Sequence, residues 1–123
     1  MQNDQNKYDL EDRTAKLGEE VIMLCKATKM TIYTEPIMKQ ILRSATSVGA
    51  NYMEANGASS KKDFCNKIYI CKKESQETKH WLRMLITATN ENSEKIKNLL
   101  DESQQLSMIF HKIADTTKNK IYI

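Results

Sequence analysis

Apolar and small side chains recur along the chain at alternating intervals of three and four residues, the spacing of one buried helix face. The first stretch runs through Leu10, Thr14, Leu17, Val21, Leu24 and Thr28, with Asp9 placed to cap its start and Asp12 three residues on. This predicts a helix over 9–30. The pattern breaks at Thr31-Ile32-Tyr33-Thr34-Glu35-Pro36, where β-branched residues and the single proline mark a connection. Pro36 suits a first helical turn, which needs no backbone donor there. Ile37, Ile41, Ala45, Val48 and Tyr52 form the face of a second helix over 37–56, and Gly57 is expected to close it in the left-handed cap conformation. Ser60 followed by Asp63 resembles a capping box. It opens a third helix over 61–87, with Phe64, Ile68, Cys71, Ser75, Thr78, Leu82 and Leu85 on its core face. Residues 87–93 read as a connection. Ile96, Leu99, Ser103, Leu106, Phe110 and Ile113 define a fourth helix over 94–117, with Ile121-Tyr122-Ile123 a loose tail.

Four amphipathic helices joined by short links predict one all-α domain over 1–123, an antiparallel up-and-down four-helix bundle. One Pro and three Gly in 123 residues agree with long, uninterrupted helices. No apolar run is long enough to cross a bilayer, and the first six residues lack a signal-peptide core, so the expected location is the cytoplasm, without membrane contact. Cys25, Cys65 and Cys71 are odd in number and have no C-x-x-C spacing. They read as small buried hydrophobes in a reducing compartment, with a metal or redox role as the alternative.

The third helix carries more apolar surface than one core uses. At 100° per residue, Ile70, Trp81 and Met84 lie opposite Leu82 and Phe64, so Trp81 is expected to face solvent in a lone bundle. Trp flanked by Ile and Met is the composition of an interface anchor, which predicts self-association. The alternative is that this wide surface meets two neighbouring helices within a single bundle.

The second helix carries a polar stripe beside its core face: Arg43, Ser47, Asn51 and Glu54. Ser44, Ala45, Ser47, Gly49 and Ala50 are small enough for another helix to approach closely. Buried there, an Arg–Glu pair with Ser and Asn has to satisfy itself by hydrogen bonds, because lone buried charges are costly. A polar network fixing helix register or a subunit contact is the reading; a ligand site is the alternative.

Formal net charge is +3, and residues 58–90 hold seven basic against three acidic side chains. Lys61, Lys72, Lys79 and Arg83 fall within about 40° of one another around the third helix, a line that can engage phosphates. The ordinary alternative is a solvated face neutralised by Glu74, Glu77 or the acidic first helix. No base-reading motif accompanies the line, so any binding to RNA or DNA is expected to be sequence-independent.

Catalytic chemistry finds little material. Glu77-Thr78-Lys79-His80 is an E-x-x-H, which di-iron bundles use on two helices. The other histidine, His111, has Met108 where an acid is needed, and Glu77 and His80 point away from Phe64 and Leu82. A metal-dependent enzyme is the remote reading. No phosphate-binding loop, nucleophile elbow or cofactor motif is present. No catalytic or metal-binding residue and no cofactor is expected.

The run Leu42-Arg43-Ser44-Ala45-Thr46-Ser47-Val48-Gly49-Ala50-Asn51-Tyr52-Met53-Glu54-Ala55 closely resembles the signature of the four-helix-bundle proteins encoded in 23S rRNA intervening sequences. The likeness continues through Ser60-Lys61-Lys62-Asp63-Phe64, Cys71-Lys72-Lys73-Glu74-Ser75-Gln76-Glu77-Thr78 and Trp81-Leu82, in order and at the family's spacing. The resemblance implies a homopentamer of four-helix bundles. It places Arg43, Ser47, Asn51, Glu54, Glu74 and Glu77 at the family's polar positions without a catalytic role. The chain is also similar to the accessory protein of diversity-generating retroelements, which implies a basic pentamer that binds nucleic acid and a reverse transcriptase. A net charge of +3 sets it apart from the strongly basic retroelement members. A non-enzymatic homo-oligomeric scaffold is the leading expectation, and a sequence-independent nucleic-acid-binding protein the second.

Overall fold

The computed structural model describes the backbone of residues 2–121 and the side chains of residues 10–119. It is an all-α four-helix bundle: α1 (Gln2–Ala27), α2 (Thr34–Asn56), α3 (Lys61–Ala88) and α4 (Ser93–Ile121). Cross-helix pairs fix the antiparallel order. Gly18 lies against Thr46 and Gly49 against Thr14; Val48 O meets Cys71, and Ala114 O meets Cys65. The helices follow one another around the bundle, with α3 packed extensively on both α2 and α4. The α1–α4 seam is thinner. It is bridged by Arg13, which donates to Glu102 at 2.7 and 3.0 Å.

The core is the expected set of stripes with small shifts. Leu17, Val21, Leu24, Ile41, Val48, Ile68, Leu82, Leu85, Ile96, Leu106 and Phe110 are fully buried, and the Tyr52 and Phe110 rings sit 6.0 Å apart. Phe64, Ile37 and Ile113 are only half-buried, their places in the core taken by Cys65, Met38 and Ala114. A 3.6-residue helix drifts against a strict heptad, and the drift shows first at helix ends. The hydroxyls in the core are satisfied locally: Thr14, Thr28, Ser75, Thr78 and Ser103 each donate to the carbonyl four residues back at 2.7–2.8 Å.

Helix ends depart from the pattern more than helix centres do. α1 begins at Gln2, so Asp9 lies inside it, and it stops at Ala27, three residues before the expected end. α2 starts at Thr34, and its entry is capped by the preceding threonine. Thr31 Oγ1 accepts from the N–H groups of Tyr33 and Thr34 at 3.1 Å, while Thr34 Oγ1 donates to Lys29 O at 2.8 Å. Gly57 has φ −98°, so the left-handed cap expected there does not form. The described residue with positive φ is Asn92, at 58°, in the α3–α4 connection. Asparagine tolerates that region, and Asn92 O accepts the Ile96 N–H at 2.9 Å to start α4. Ser60 Oγ accepts the Asp63 N–H at 3.0 Å, as the capping motif predicts. α4 continues past 117 to Ile121, and the rest of the expected tail, 122–123, lies outside the described residues.

Candidate functional site

Two flanks of α3 gather the side chains that the sequence singles out. On the flank toward α2, Arg43 reaches across to α3, donating to Glu74 at 3.0 Å and also to Glu77. Glu74 is 5% exposed, whereas the Arg43 side chain is 48% exposed, so the cation lies over a sunken carboxylate. The hydrogen bond to Glu77 raises Arg43 above its ordinary value, and the same bond holds Glu77 below the usual carboxylate range. Glu54 pairs with Lys67 at 2.9 Å, which raises that lysine. Ser47 and Asn51, both half-buried, bond back to the α2 backbone at Arg43 O and Ser47 O. The stripe on α2 therefore does not close on itself. Its charges cross to α3 and pair there, Arg43 with Glu74 and Glu77 and Glu54 with Lys67. The small residues beside it serve a different contact: a Cβ on Gly49 would sit 3.4 Å from Thr14 O, so α1 is the helix that approaches.

Ile70, Trp81 and Met84 lie on this same flank, in a second three-and-four series, Lys67–Ile70–Glu74–Glu77–Trp81–Met84–Ala88. All three are half-buried, so Trp81 does not project into solvent as expected for a lone bundle. It packs against the core edge with its ring 5.0 Å from His80, and its Nε1–H is shielded with no hydrogen-bond acceptor among the described residues. Trp81 and Met84 border an open apolar groove of about 710 Å³ whose opposite wall includes Ile32, Tyr33, Pro36 and Ile37. Ile32 and Tyr33 are 81% and 70% exposed. The periodicity of the connection hid these two residues, and Lys67 was overlooked although the second series passes through it.

The flank toward α4 holds the basic line. Lys72 Nζ lies 3.1 Å from His111 Nδ1, and Lys79 donates to Gln104 Oε1 at 2.6 Å. Lys61 and Arg83 are exposed at the two ends. The carboxylates expected to neutralise this line are turned to the other flank, where Arg43 holds Glu74 and Glu77. No described carboxylate comes within 4.0 Å of Lys61, Lys72, Lys79 or Arg83.

The groups weighed for catalysis are dispersed. Glu77 is engaged by Arg43, His80 lies at the surface against Trp81, and His111 meets Lys72 on the far side of α3. Among the described residues, no three His, Cys, Asp or Glu side chains are grouped to hold a metal ion. Cys65 and Cys71 are buried, and desolvation pushes the Cys71 thiol up to about 12, far from a nucleophile's range. Half-buried Cys25 is also raised by burial. Among the described residues, no helix is long and apolar enough to cross a membrane.

Comparison with known proteins places this geometry. A family model described as 23S rRNA-intervening sequence protein matches residues 6–112. A crystal structure from Bacteroides thetaiotaomicron, of a protein of unknown function from the S23 ribosomal protein family, is 31% identical. The match covers 89% of this chain and 97% of that one, with a TM-score of 0.78. No curated protein matches the chain.

Proposed function

The chain belongs to the 23S rRNA-intervening sequence protein family, and from that premise we propose that it is a non-enzymatic scaffold that assembles with copies of itself through the α2–α3 flank. The observation that carries this reading is the second seam on α3. After the bundle has closed, Ile70, Trp81 and Met84 remain half-exposed, beside Ile32 and Tyr33 on the α1–α2 connection. The Trp81 indole N–H is shielded and has no acceptor among the described residues, a state that costs about 1–3 kcal/mol for a buried donor. The groove beside Trp81 supplies apolar area of the kind that interface cores use. The Arg43–Glu74–Glu77 network then lies within or at the rim of the contact and fixes its register. Five subunits is the expected count from the family resemblance.

Size-exclusion chromatography with light scattering tests this reading on the full chain at micromolar concentration. The expected result is an oligomer of wild type that dissociates for Trp81→Ala and for Met84→Glu. The second variant alters a groove-lining side chain outside the buried core cluster, so it separates loss of assembly from loss of the fold. A wild-type monomer at that concentration overturns the proposal, as does a Met84→Glu variant that is folded and still fully assembled.

A further inference from the structure

We propose that the α3–α4 flank binds the sugar-phosphate backbone of RNA, without reading its bases. The α2 flank of α3 holds Glu74 and Glu77 under Arg43, so those acids are not available to neutralise the opposite side. What remains toward α4 is Lys61, Lys72, Lys79 and Arg83, with Lys62 and Lys73 on the adjoining surface. None of these six comes within 4.0 Å of a described carboxylate. Lys72 and Lys79 are half-buried and lie against His111 and Gln104, neither of which is an acid, so the ammonium groups are positioned without an anion to cancel their charge. An ammonium has three donors, so each keeps two for a phosphate oxygen.

The shape of the charge selects the partner. From Lys61 to Arg83 the line runs about 33 Å along the helix, a row that suits a polymer carrying a charge at every unit. An interfacial membrane helix lays down a stripe of apolar side chains. Here the flank offers two separate large exposed hydrophobes, Tyr69 on α3 and Met108 on α4, and no such stripe; the Tyr69 ring is also a platform for an unpaired base. The inference stands on a single chain and does not require the assembly proposed above.

Fluorescence anisotropy with a labelled 20-nucleotide poly(U), over a series of salt concentrations, tests it on the full-length protein. The triple variant Lys72→Glu, Lys79→Glu, Arg83→Glu is compared with a charge-matched control, Lys16→Glu, Lys26→Glu, Lys29→Glu, on α1 and the residues just after it. Both sets are checked for helicity by circular dichroism, and Lys72→Gln, Lys79→Gln, Arg83→Gln serves in place of the first set should its reversed charges unfold the protein. The expected result is that wild type binds and the α3 variant binds at least about tenfold more weakly at 50 mM salt. Its log–log salt slope falls by about 2, the share of three phosphate contacts on a single strand. The control stays within about threefold of wild type. Equal affinity of wild type and α3 variant overturns the proposal, as does an equal loss in the control. Binding to phosphatidylglycerol vesicles or to poly-glutamate, with none to RNA, overturns it as well.

Discussion

Replacing Arg43 by alanine removes the one cation paired with a sunken carboxylate on the α2–α3 flank. Glu74 is 5% exposed and receives Arg43 Nη1 at 3.0 Å, and no other described cation pairs with it. Breaking a fully buried pair from one side costs about 3–5 kcal/mol. The Arg43 side chain is 48% exposed, so water already screens the interaction from its outer side. Two charges about 4 Å apart in such a setting interact by about 4 kcal/mol at most. Discounted for that screening and for the relaxation of Glu74 toward the space left behind, the loss is about 2–3 kcal/mol at pH 7. For a chain of this size that is about a 10 °C fall in melting temperature. The sign of the pH dependence follows from Glu77, which Arg43 holds below the usual carboxylate range. A carboxyl depressed in the folded state stabilises the protein above its unfolded value, about 4.3, and loses that contribution as pH falls through the folded value. The penalty of the variant is therefore complete at pH 7 and shrinks below about pH 4. Urea titrations followed by circular dichroism read both quantities, with wild type and variant held in the same state of assembly. The double variant Arg43→Met, Glu74→Gln, which removes both charges at once, should recover more than half the loss. A single variant within about 0.5 kcal/mol of wild type at pH 7, or a gap that persists undiminished at pH 3, refutes the reasoning.

The two helical glycines on the α1–α2 contact should respond with opposite signs. A Cβ on Gly18 meets Thr46 at an ordinary 3.6 Å, so Gly18→Ala gains about 0.5–1 kcal/mol of helix stability in urea titration. A Cβ on Gly49 already sits 3.4 Å from the backbone oxygen of Thr14, so Gly49→Val forces α1 away and costs about 1–3 kcal/mol. With its thiol pushed to about 12, Cys71 should resist an aromatic disulfide reagent at pH 8 in the native state and react at once in urea, read by mass spectrometry of the labelled peptide. Thr31→Val deletes the oxygen that accepts two N–H groups at the entry of α2 and should cost about 1 kcal/mol, with amide exchange fastest at Tyr33 and Thr34.

Core stripes were legible because they depend only on local spacing. Leu17, Val21, Leu24, Ile41, Val48, Leu82 and Phe110 are named by the three-and-four pattern and are all buried. Helix ends were not, because capping is decided by where the backbone turns. Gly57 looks like the left-handed residue and is not, while Asn92 is, since only the path from α3 into α4 demands positive φ. The partner of Arg43 was hidden for a related reason. Along α2 alone Glu54 is the obvious acid, but the α2–α3 register brings Glu74 and Glu77 beneath Arg43 and gives Glu54 to Lys67. Trp81 was read as facing solvent, yet it stands only about 100° around the helix from Leu82 and is half-buried at the edge of the core. How far α2 covers it could not be read from α3 by itself.

That same register explains why α3 can present two chemistries at once. Its cations and acids are intermixed in sequence, Lys72 and Lys73 preceding Glu74 and Glu77 preceding Lys79, so the segment alone reads as a self-neutralised face. Wound at 3.6 residues per turn, the acids fall toward α2 and Lys72, Lys79 and Arg83 toward α4. Arg43 then ties the acids down. Removing Arg43 should thus weaken more than one helix contact: with Glu74 and Glu77 released, their negative charge acts on the lysines one turn away, and the flank toward α4 loses part of its positive potential. The proposed assembly through Trp81 and the proposed attraction of phosphate through Lys72 and Lys79 rest on separate side chains of one helix. Arg43 is the residue through which a single substitution should disturb both.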